Sequence, residues 1–420
     1  MARSMAFSAT AKDTYILFVG STLSAFWGFL FTLIVARSIS ISEFGVFSAV
    51  LNLATILSSL SDFGISSGAV NFIAANYSKG AVAEANKYAK AAFLIRLAIV
   101  LVIAGAFLAA SPFIPAKILA TTNSKMGIWV AAITIFWFLD LFVPSILQAK
   151  NMFLKAVIYD NSYYVGRLLI AFIFYLTIGL TLTRAFWAFG AGFFFTVIFT
   201  FIYLKKDFWR VKPEKHKYTD LFKFSGWIAV NRIMSSISGK LDIQMLAVLA
   251  GAFATGLYAI PSRLATFIIV LAASFSSVLA PRLAGFGNKA MEKAYLIKSI
   301  LGLLPITLGI IFWIIIARPF ILLLFGTKYL PSVPVFQALA ASMIPFLFTV
   351  PSVTAIIYSM KKTVYIGAFS FFQLAAIFLL NLYFIPKYGP FGPTITFGVT
   401  NIILAVYTWA IVIKHYWIEK

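Results

Sequence analysis

Nine charged side chains interrupt the long apolar stretches of this 420-residue sequence: Asp62, Arg96, Asp140, Asp160, Arg167, Arg232, Lys240, Asp242 and Arg263. A charge at the centre of a bilayer costs about 2.5–3.5 kcal/mol on insertion scales. If those stretches cross a membrane, each charge must line a wet cavity or pair with another. Asp160 and Arg167 are seven residues apart, two turns along one helical face, with Tyr163 and Tyr164 between them. That set suits a sugar or a pyrophosphate, and it equally suits an ion pair to a neighbouring helix. Arg232 and Lys240 lie about 80° apart in helical projection, among Asn231, Ser235, Ser236 and Ser238, and Arg263 follows Pro261. Guanidinium forks match phosphate oxygens in a way that a lysine point charge does not. Arg232 and Arg263 are therefore the first choices for an anionic ligand, and Lys240 the next. Their alternative is to pair with Asp242 or with helix-end carbonyls.

The remaining charges divide differently. Asp140 lies mid-stretch between Trp137 and Pro144. A carboxylate at that depth is a carrier for H+ or Na+, or else the partner of a nearby arginine. Arg96 is close enough to one end of its stretch to snorkel to headgroups, which competes with a substrate-binding role. Asp62, within Ser61-Asp62-Phe63-Gly64, reads as the fastening of a helix end. Tyr163, Tyr164 and Trp137 could stack on sugars, although anchoring and packing are the commoner uses of such rings.

Other chemistries are poorly supplied. The sequence has no cysteine and two histidines, His216 and His415, both in expected loops. Thiolate catalysis and a metal centre are not expected, nor is any cofactor. No glycine-rich phosphate loop ending in Lys-Ser/Thr appears, so no built-in ATPase is expected.

The elements that must position these residues are helices in lipid. The chain is 62% apolar and 11% charged, with mean hydropathy +0.98, against about 45–50% and about 25% in soluble domains. Backbone in hydrocarbon must satisfy its own hydrogen bonds, and the short alternating segments of a β-barrel are missing. The expected fold class is an all-α polytopic membrane protein with about twelve spans, at 14–36, 45–67, 90–112, 127–148, 156–180, 184–204, 222–249, 254–280, 298–316, 333–358, 363–384 and 391–413. Residues Met1 to Lys12 are short, polar and basic, so the run from Thr14 reads as the first span and not as a cleaved leader. With the N-terminus in the cytoplasm, 22 lysines and arginines fall on the inner side and 7 on the outer. The positive-inside rule then puts both termini in the cytoplasm of a cell (plasma or inner) membrane. It also assigns the +22 charge to topology and anionic membrane lipids, with no nucleic-acid partner.

The chain also repeats itself. Glu43-Phe44-Gly45-Val46-Phe47 opens the second expected span, and Ala254-Thr255-Gly256-Leu257-Tyr258 the eighth, with the glycines 211 residues apart. Pro112-Phe113 answers Pro319-Phe320, Phe186 answers Phe391, and Gln373 falls opposite Arg167. The expected organisation is a six-helix bundle at 1–204, a basic cytoplasmic linker at 205–221 and a second six-helix bundle at 222–420. The two would be related by an axis along the membrane normal, with the substrate path between them.

Several of these residues carry a family likeness: Glu43-Phe44-Gly45, Ser61-Asp62-Phe63-Gly64-Ile65-Ser66-Ser67-Gly68-Ala69, Lys240-Leu241-Asp242, Thr255-Gly256-Leu257-Tyr258-Ala259, Ser262-Arg263-Leu264 and Pro386-Lys387-Tyr388-Gly389-Pro390-Phe391-Gly392. The chain resembles the O-antigen and capsule type of polysaccharide flippase in the multidrug/oligosaccharidyl-lipid/polysaccharide exporter superfamily. The resemblance implies a transporter, not an enzyme. It would move an undecaprenyl-pyrophosphate-linked glycan from the inner to the outer leaflet by alternating access, coupled to H+ or Na+ and alongside other polysaccharide-assembly proteins. Relatives that flip the peptidoglycan precursor carry two further C-terminal spans, so twelve favours the polysaccharide branch. The rival within the superfamily is a multidrug or cation antiporter, which a buried set of five basic and four acidic residues disfavours. A polymerase or ligase would place catalytic acids or histidines on its outer loops, where only Glu43 is acidic.

Overall fold

A computed structural model describes the backbone of residues 2–110, 118–119, 121, 123, 125–204, 206–286 and 288–418, with side chains over the same ranges except 2–11, 227, 228, 230–232 and 235. The described residues are helical almost throughout. In chain order the helices are α1 (Ala2–Ser38), α2 (Ile41–Leu60), α3 (Ile65–Ser78), α4 (Val82–Ala110), α5 (Lys125–Ala149), α6 (Phe153–Thr177), α7 (Leu182–Tyr203), α8 (Lys206–Arg210), α9 (Lys215–Ser238), α10 (Leu241–Gly285), α11 (Lys289–Ile315), α12 (Ala317–Phe325), α13 (Ser332–Thr354), α14 (Thr363–Tyr388) and α15 (Gly392–Ile413). Among the described residues, nine helical stretches are long and apolar enough to cross a membrane. α6 and α9 are outside that set. One stretch of it, Thr363–Ile418, contains both α14 and α15, so the expected twelve is approximate.

Two expected spans are interrupted and a third break falls in an expected connection, each at backbone that departs from the right-handed helix. The second ends at Leu60, where Phe63 (φ 42°) and Gly64 (φ 70°) turn the chain before α3. The seventh ends at Ser238, and a new helix starts at Leu241. α10 is itself broken at Gly251 (φ 82°), a conformation that glycine adopts without a Cβ clash. The expected linker 205–221 is not all loop, because it contains α8 and the first turns of α9. His216 accordingly lies in α9, and His415 in the π-helical turn Lys414–Ile418. The repeat element Pro112-Phe113 lies outside the described residues.

The chain forms two compact units. The first comprises residues 1–40, 50–117 and 121–236. Its apolar core joins Ile65, Ala69 and Tyr88 to Phe138, Phe142, Tyr159, Leu204 and Leu221. α9 belongs here through Ser236, although the sequence division assigned it from residue 222 to the second bundle. The reason is a bare ledge of backbone. A Cβ on Gly64 would lie 3.0 Å from the Ala229 nitrogen, and one on Gly68 would lie 3.2 Å from the Ser225 hydroxyl.

The second unit comprises residues 41–49, 118–120 and 237–420. Its helices are joined by hydrogen bonds between polar side chains and backbone, the usual glue in lipid. Asn401 Nδ2 donates to the Ser342 carbonyl at 3.1 Å, Trp409 Nε1 to the Phe348 carbonyl at 2.8 Å, and Ser352 Oγ to Thr408 Oγ1 at 2.8 Å. The start of α2 crosses α10 within this unit, and the two repeat-matched glycines meet there. A Cβ on Gly45 would lie 1.8 Å from the Ala252 carbonyl oxygen, and one on Gly256 would lie 2.0 Å from the Ile41 carbonyl oxygen. Ile41 and Ala252 share the 211-residue offset of the glycines. The contact is thus reciprocal, as a twofold relation between matched segments requires.

Candidate functional site

In the first unit, the polar residues of α6 face α1, α5 and α7. Arg167 is buried, 7% exposed. Its Nη1 donates to Tyr163 Oη at 3.1 Å, an i,i+4 pair. The guanidinium carbon sits over four rings, at 4.5 Å from the centroid of Tyr164, 4.8 Å from Tyr163, 4.8 Å from Phe31 and 5.2 Å from Phe189. Such aromatic faces attract a desolvated cation by about 2 kcal/mol or more. Gly28 makes the room, since a Cβ there would lie 3.0 Å from Arg167 Nη2. Asp160, two turns earlier, accepts a hydrogen bond from Ser24 Oγ of α1. Asp140 on α5 is 6% exposed and lies within the electrostatic field of both Asp160 and Arg167.

Two atoms in this cluster have no hydrogen-bond partner among the described residues: Asp140 Oδ1 and Arg167 Nε. An unused acceptor and an unused donor are thus buried in one cluster, with two carboxylates against one guanidinium. Burial without partners is costly in a dry interior. The arrangement can therefore take up a proton or a small cation at the carboxylates, or an anion at Arg167.

Arg96 does not snorkel. It is 1% exposed and pairs through Nε with Asp62 Oδ1 at 3.3 Å. Its Nη1 donates to Ser66 Oγ at 2.9 Å, and Ser66 Oγ donates to Asp62 Oδ1 at 2.5 Å. Its guanidinium lies over the Phe138 and Phe142 rings. These contacts fasten α4 to the break at Phe63-Gly64 and point Arg96 inward.

The second unit brings Lys240, Asp242 and Arg263 together. Lys240 is half-buried, as is Arg263, and lies in the electrostatic field of both Asp242 and Arg263. Tyr258 Oη donates to Asp242 Oδ2 at 2.8 Å, which occupies one oxygen of the only carboxylate of the three. Arg263 sits 5.6 Å from the Phe44 ring centroid, and Phe44 packs edge-on against Tyr329 at 6.2 Å. The Gly45–Gly256 crossing is what carries Phe44 to Arg263. Arg232 lies on α9, but its side chain is outside the described residues.

Sequence reasoning missed several supporting residues. Ser24, Gly28 and Phe31 recur at i, i+4 and i+7 on α1, a face that the small and polar residue types could have revealed. Tyr258 sits 16 residues from Asp242, across the Gly251 break, and no periodicity predicts that pairing. An ion-pair network was missed as well. Glu84, ahead of the expected third span, accepts from both Lys87 and Lys217, and Lys87 also reaches Glu214. Those hydrogen bonds, Lys217 first, hold the Glu84 carboxyl down at about 2.

Comparison with known proteins adds the context. A family model described as "Polysaccharide biosynthesis protein" matches residues 10–287. No curated protein matches by sequence. The chain is similar in fold to an inward-facing multidrug resistance MATE family transporter of the MOP superfamily (TM-score 0.73, 15% identity, 94% of this chain and 97% of that one). It is similar to the lipid II flippase MurJ in an inward closed conformation (TM-score 0.72, 17% identity, 95% and 87%). It is also similar to a MOP superfamily transporter from Pyrococcus furiosus whose binding pocket is described as of reverse polarity (TM-score 0.58, 14% identity, 96% and 94%). These similarities show the fold, a helical membrane transporter fold of two bundles.

Proposed function

Because the chain belongs to the polysaccharide biosynthesis protein family, we propose that this multi-pass membrane transporter is a flippase for a lipid-linked glycan, carrying undecaprenyl-pyrophosphate-linked repeat units from the cytoplasmic to the outer leaflet by alternating access. The observation that carries the reading is that two cations, Lys240 and Arg263, share one electrostatic field in the second unit. Asp242, in the field of Lys240, accepts a hydrogen bond from Tyr258. A pyrophosphate suits such a pair of cations, and the Arg263 fork fits its oxygens. Phe44 and Tyr329 lie beside Arg263 and offer ring faces there. The lipid II flippase among the structural neighbours supports a lipid-linked glycan as cargo.

In the first unit, Asp140 and Asp160 with Arg167 form the coupling site for H+ or Na+, where Tyr163 and Tyr164 hold the guanidinium. The protein resides in the plasma or inner membrane with both termini in the cytoplasm, among the other polysaccharide-assembly proteins that make and use its cargo. The test is flipping in proteoliposomes of a fluorescent undecaprenyl-pyrophosphate-linked glycan. Replacing Lys240 and Arg263 together by alanine should lower the rate about 10- to 100-fold, the size of a lost charge-assisted contact. Unchanged flipping at equal protein incorporation overturns the reading, and efflux of cationic dyes by the wild type would favour a multidrug exporter.

A further inference from the structure

A cavity of about 220 Å³ opens at the end of the first unit where α5 turns into α6. Its wall has two characters. Leu147, Met152, Leu204 and Phe208 are apolar, whereas Asn86 and Lys150 present polar atoms. Lys150 Nζ donates to Asn86 Oδ1 at 2.6 Å, a neutral partner. Asp207 lines the same cavity from its exposed side and makes no ion pair with Lys150 among the described residues. The turn holding Lys150 is fixed by backbone bonds, with Asn151 N donating to the Gln148 carbonyl at 2.9 Å and Met152 N to the Leu147 carbonyl at 2.8 Å. Burial pushes the Lys150 ammonium below the ordinary lysine range, so the amine is held partly desolvated with no ion-pair partner among the described residues. Tyr77 and Tyr203, also on the wall, are residue types that favour the headgroup level.

We propose that this cavity binds the headgroup of an anionic phospholipid, its phosphate on Lys150 and Asn86 and its glycerol and upper acyl carbons on Leu204, Phe208 and Met152. The apolar half of the wall is what favours a lipid over a free anion. The small volume excludes a whole glycan repeat unit, so the occupant is a resident lipid and not the cargo. Basic pockets at helix ends on the cytoplasmic side recognise such headgroups. The assignment to the inner leaflet rests on the orientation proposed above, while the binding itself does not. Lys155, exposed at the rim, adds long-range attraction only.

The experiment is native mass spectrometry of the purified full chain with phosphatidylglycerol, phosphatidylcholine or inorganic phosphate. Phosphatidylglycerol should be retained in preference to phosphatidylcholine. Lys150→Gln should weaken its retention about tenfold, the loss of one charge-assisted contact, and Lys155→Gln should weaken it less. Lys150→Arg should keep it, which separates loss of the site from loss of the fold. Equal retention of the two lipids by the wild type, or unaltered retention in Lys150→Gln, overturns the proposal. Displacement by inorganic phosphate as effective as by soluble short-chain phosphatidylglycerol would reassign the cavity to a free anion and overturn it too.

Discussion

Replacing Gly45 by alanine would put a methyl carbon 1.8 Å from the carbonyl oxygen of Ala252. Ordinary contact begins near 3.4 Å, so the start of α2 must draw back from α10 by about 1.6 Å along that line. The obstacle is backbone on both sides, with no flexible side chain to yield. Overpacking of well-packed sites costs about 1–3 kcal/mol, and a rigid obstacle puts this one at the upper end, about 2–3 kcal/mol. For a unit of this size that lowers the Tm by roughly 4–12 °C. Gly256→Ala strains the same crossing from the other helix and should cost a similar amount. Because either substitution parts the same two backbones, the double variant should cost less than the two single losses added, with a coupling of about 1 kcal/mol or more. Gly105→Ala and Gly309→Ala, in helices with open space where the methyl would go, should hold or raise the Tm, alanine being favoured over glycine by about 1 kcal/mol. The assay is thermal unfolding of detergent-purified protein by intrinsic fluorescence, with flipping measured alongside. A Gly45→Ala variant that melts with the wild type, or a double variant whose losses simply add, refutes the reciprocal contact.

Other perturbations test other parts of the molecule. Arg96→Ala strands the Asp62 carboxylate in a buried site and should cost about 3–5 kcal/mol, read as loss of Tm, while Asp62→Asn added to it should restore part of the loss. Asp140→Asn should flatten the H+ or Na+ dependence of flipping at unchanged cargo affinity, and an unaltered ion profile would remove Asp140 from coupling. The Glu84 carboxyl is depressed to about 2 from 4.5 by Lys217 and Lys87, so its contribution is fully present above about pH 4.5 and disappears as pH falls towards 2. The Tm difference between wild type and Glu84→Gln should accordingly be constant from pH 8 to 5 and shrink below pH 4. A difference that vanishes already between pH 7 and 5 would rule out the bridges as its source.

The helices were legible because lipid leaves the backbone no alternative, and apolar length alone then locates them. The interruptions were not. Phe63-Gly64 and Gly239-Lys240 sit inside apolar or mixed stretches whose average composition hides a single left-handed or unwound residue, whereas Gly251 falls in the expected connection between the seventh and eighth spans. The boundary of the first unit was misread for a related reason. α9 is held by contacts to Gly64 and Gly68, more than 150 residues earlier, and a missing side chain leaves no hydrophobic signature to match. Pairings along one helix are accessible from spacing, as Tyr163, Tyr164 and Arg167 show. Pairings between helices are not, as the contacts of Arg96 with Asp62 and Ser66 show. The repeat glycines were legible only as a recurrence. That their backbones meet at the crossing of α2 and α10 is seen only in the structure.

The two charge clusters have opposite character, and that difference constrains the transport chemistry. Around Arg167 the guanidinium is already stabilised by four rings, and two carboxylates lie in its field, so the group that can still change its state is a carboxylate. Around Arg263, Lys240 shares the field, and Asp242 accepts a hydrogen bond from Tyr258. In the proposed function a small cation has its site in the first unit and an anionic headgroup in the second. A ligand biases a conformational equilibrium only by binding its two states unequally. Placing ion and cargo on different units lets each bias the equilibrium without competing for the same side chains. Altering one cluster should then change one ligand dependence and leave the other in place. A cluster serving both ligands would instead show the two dependences shifting together in every variant.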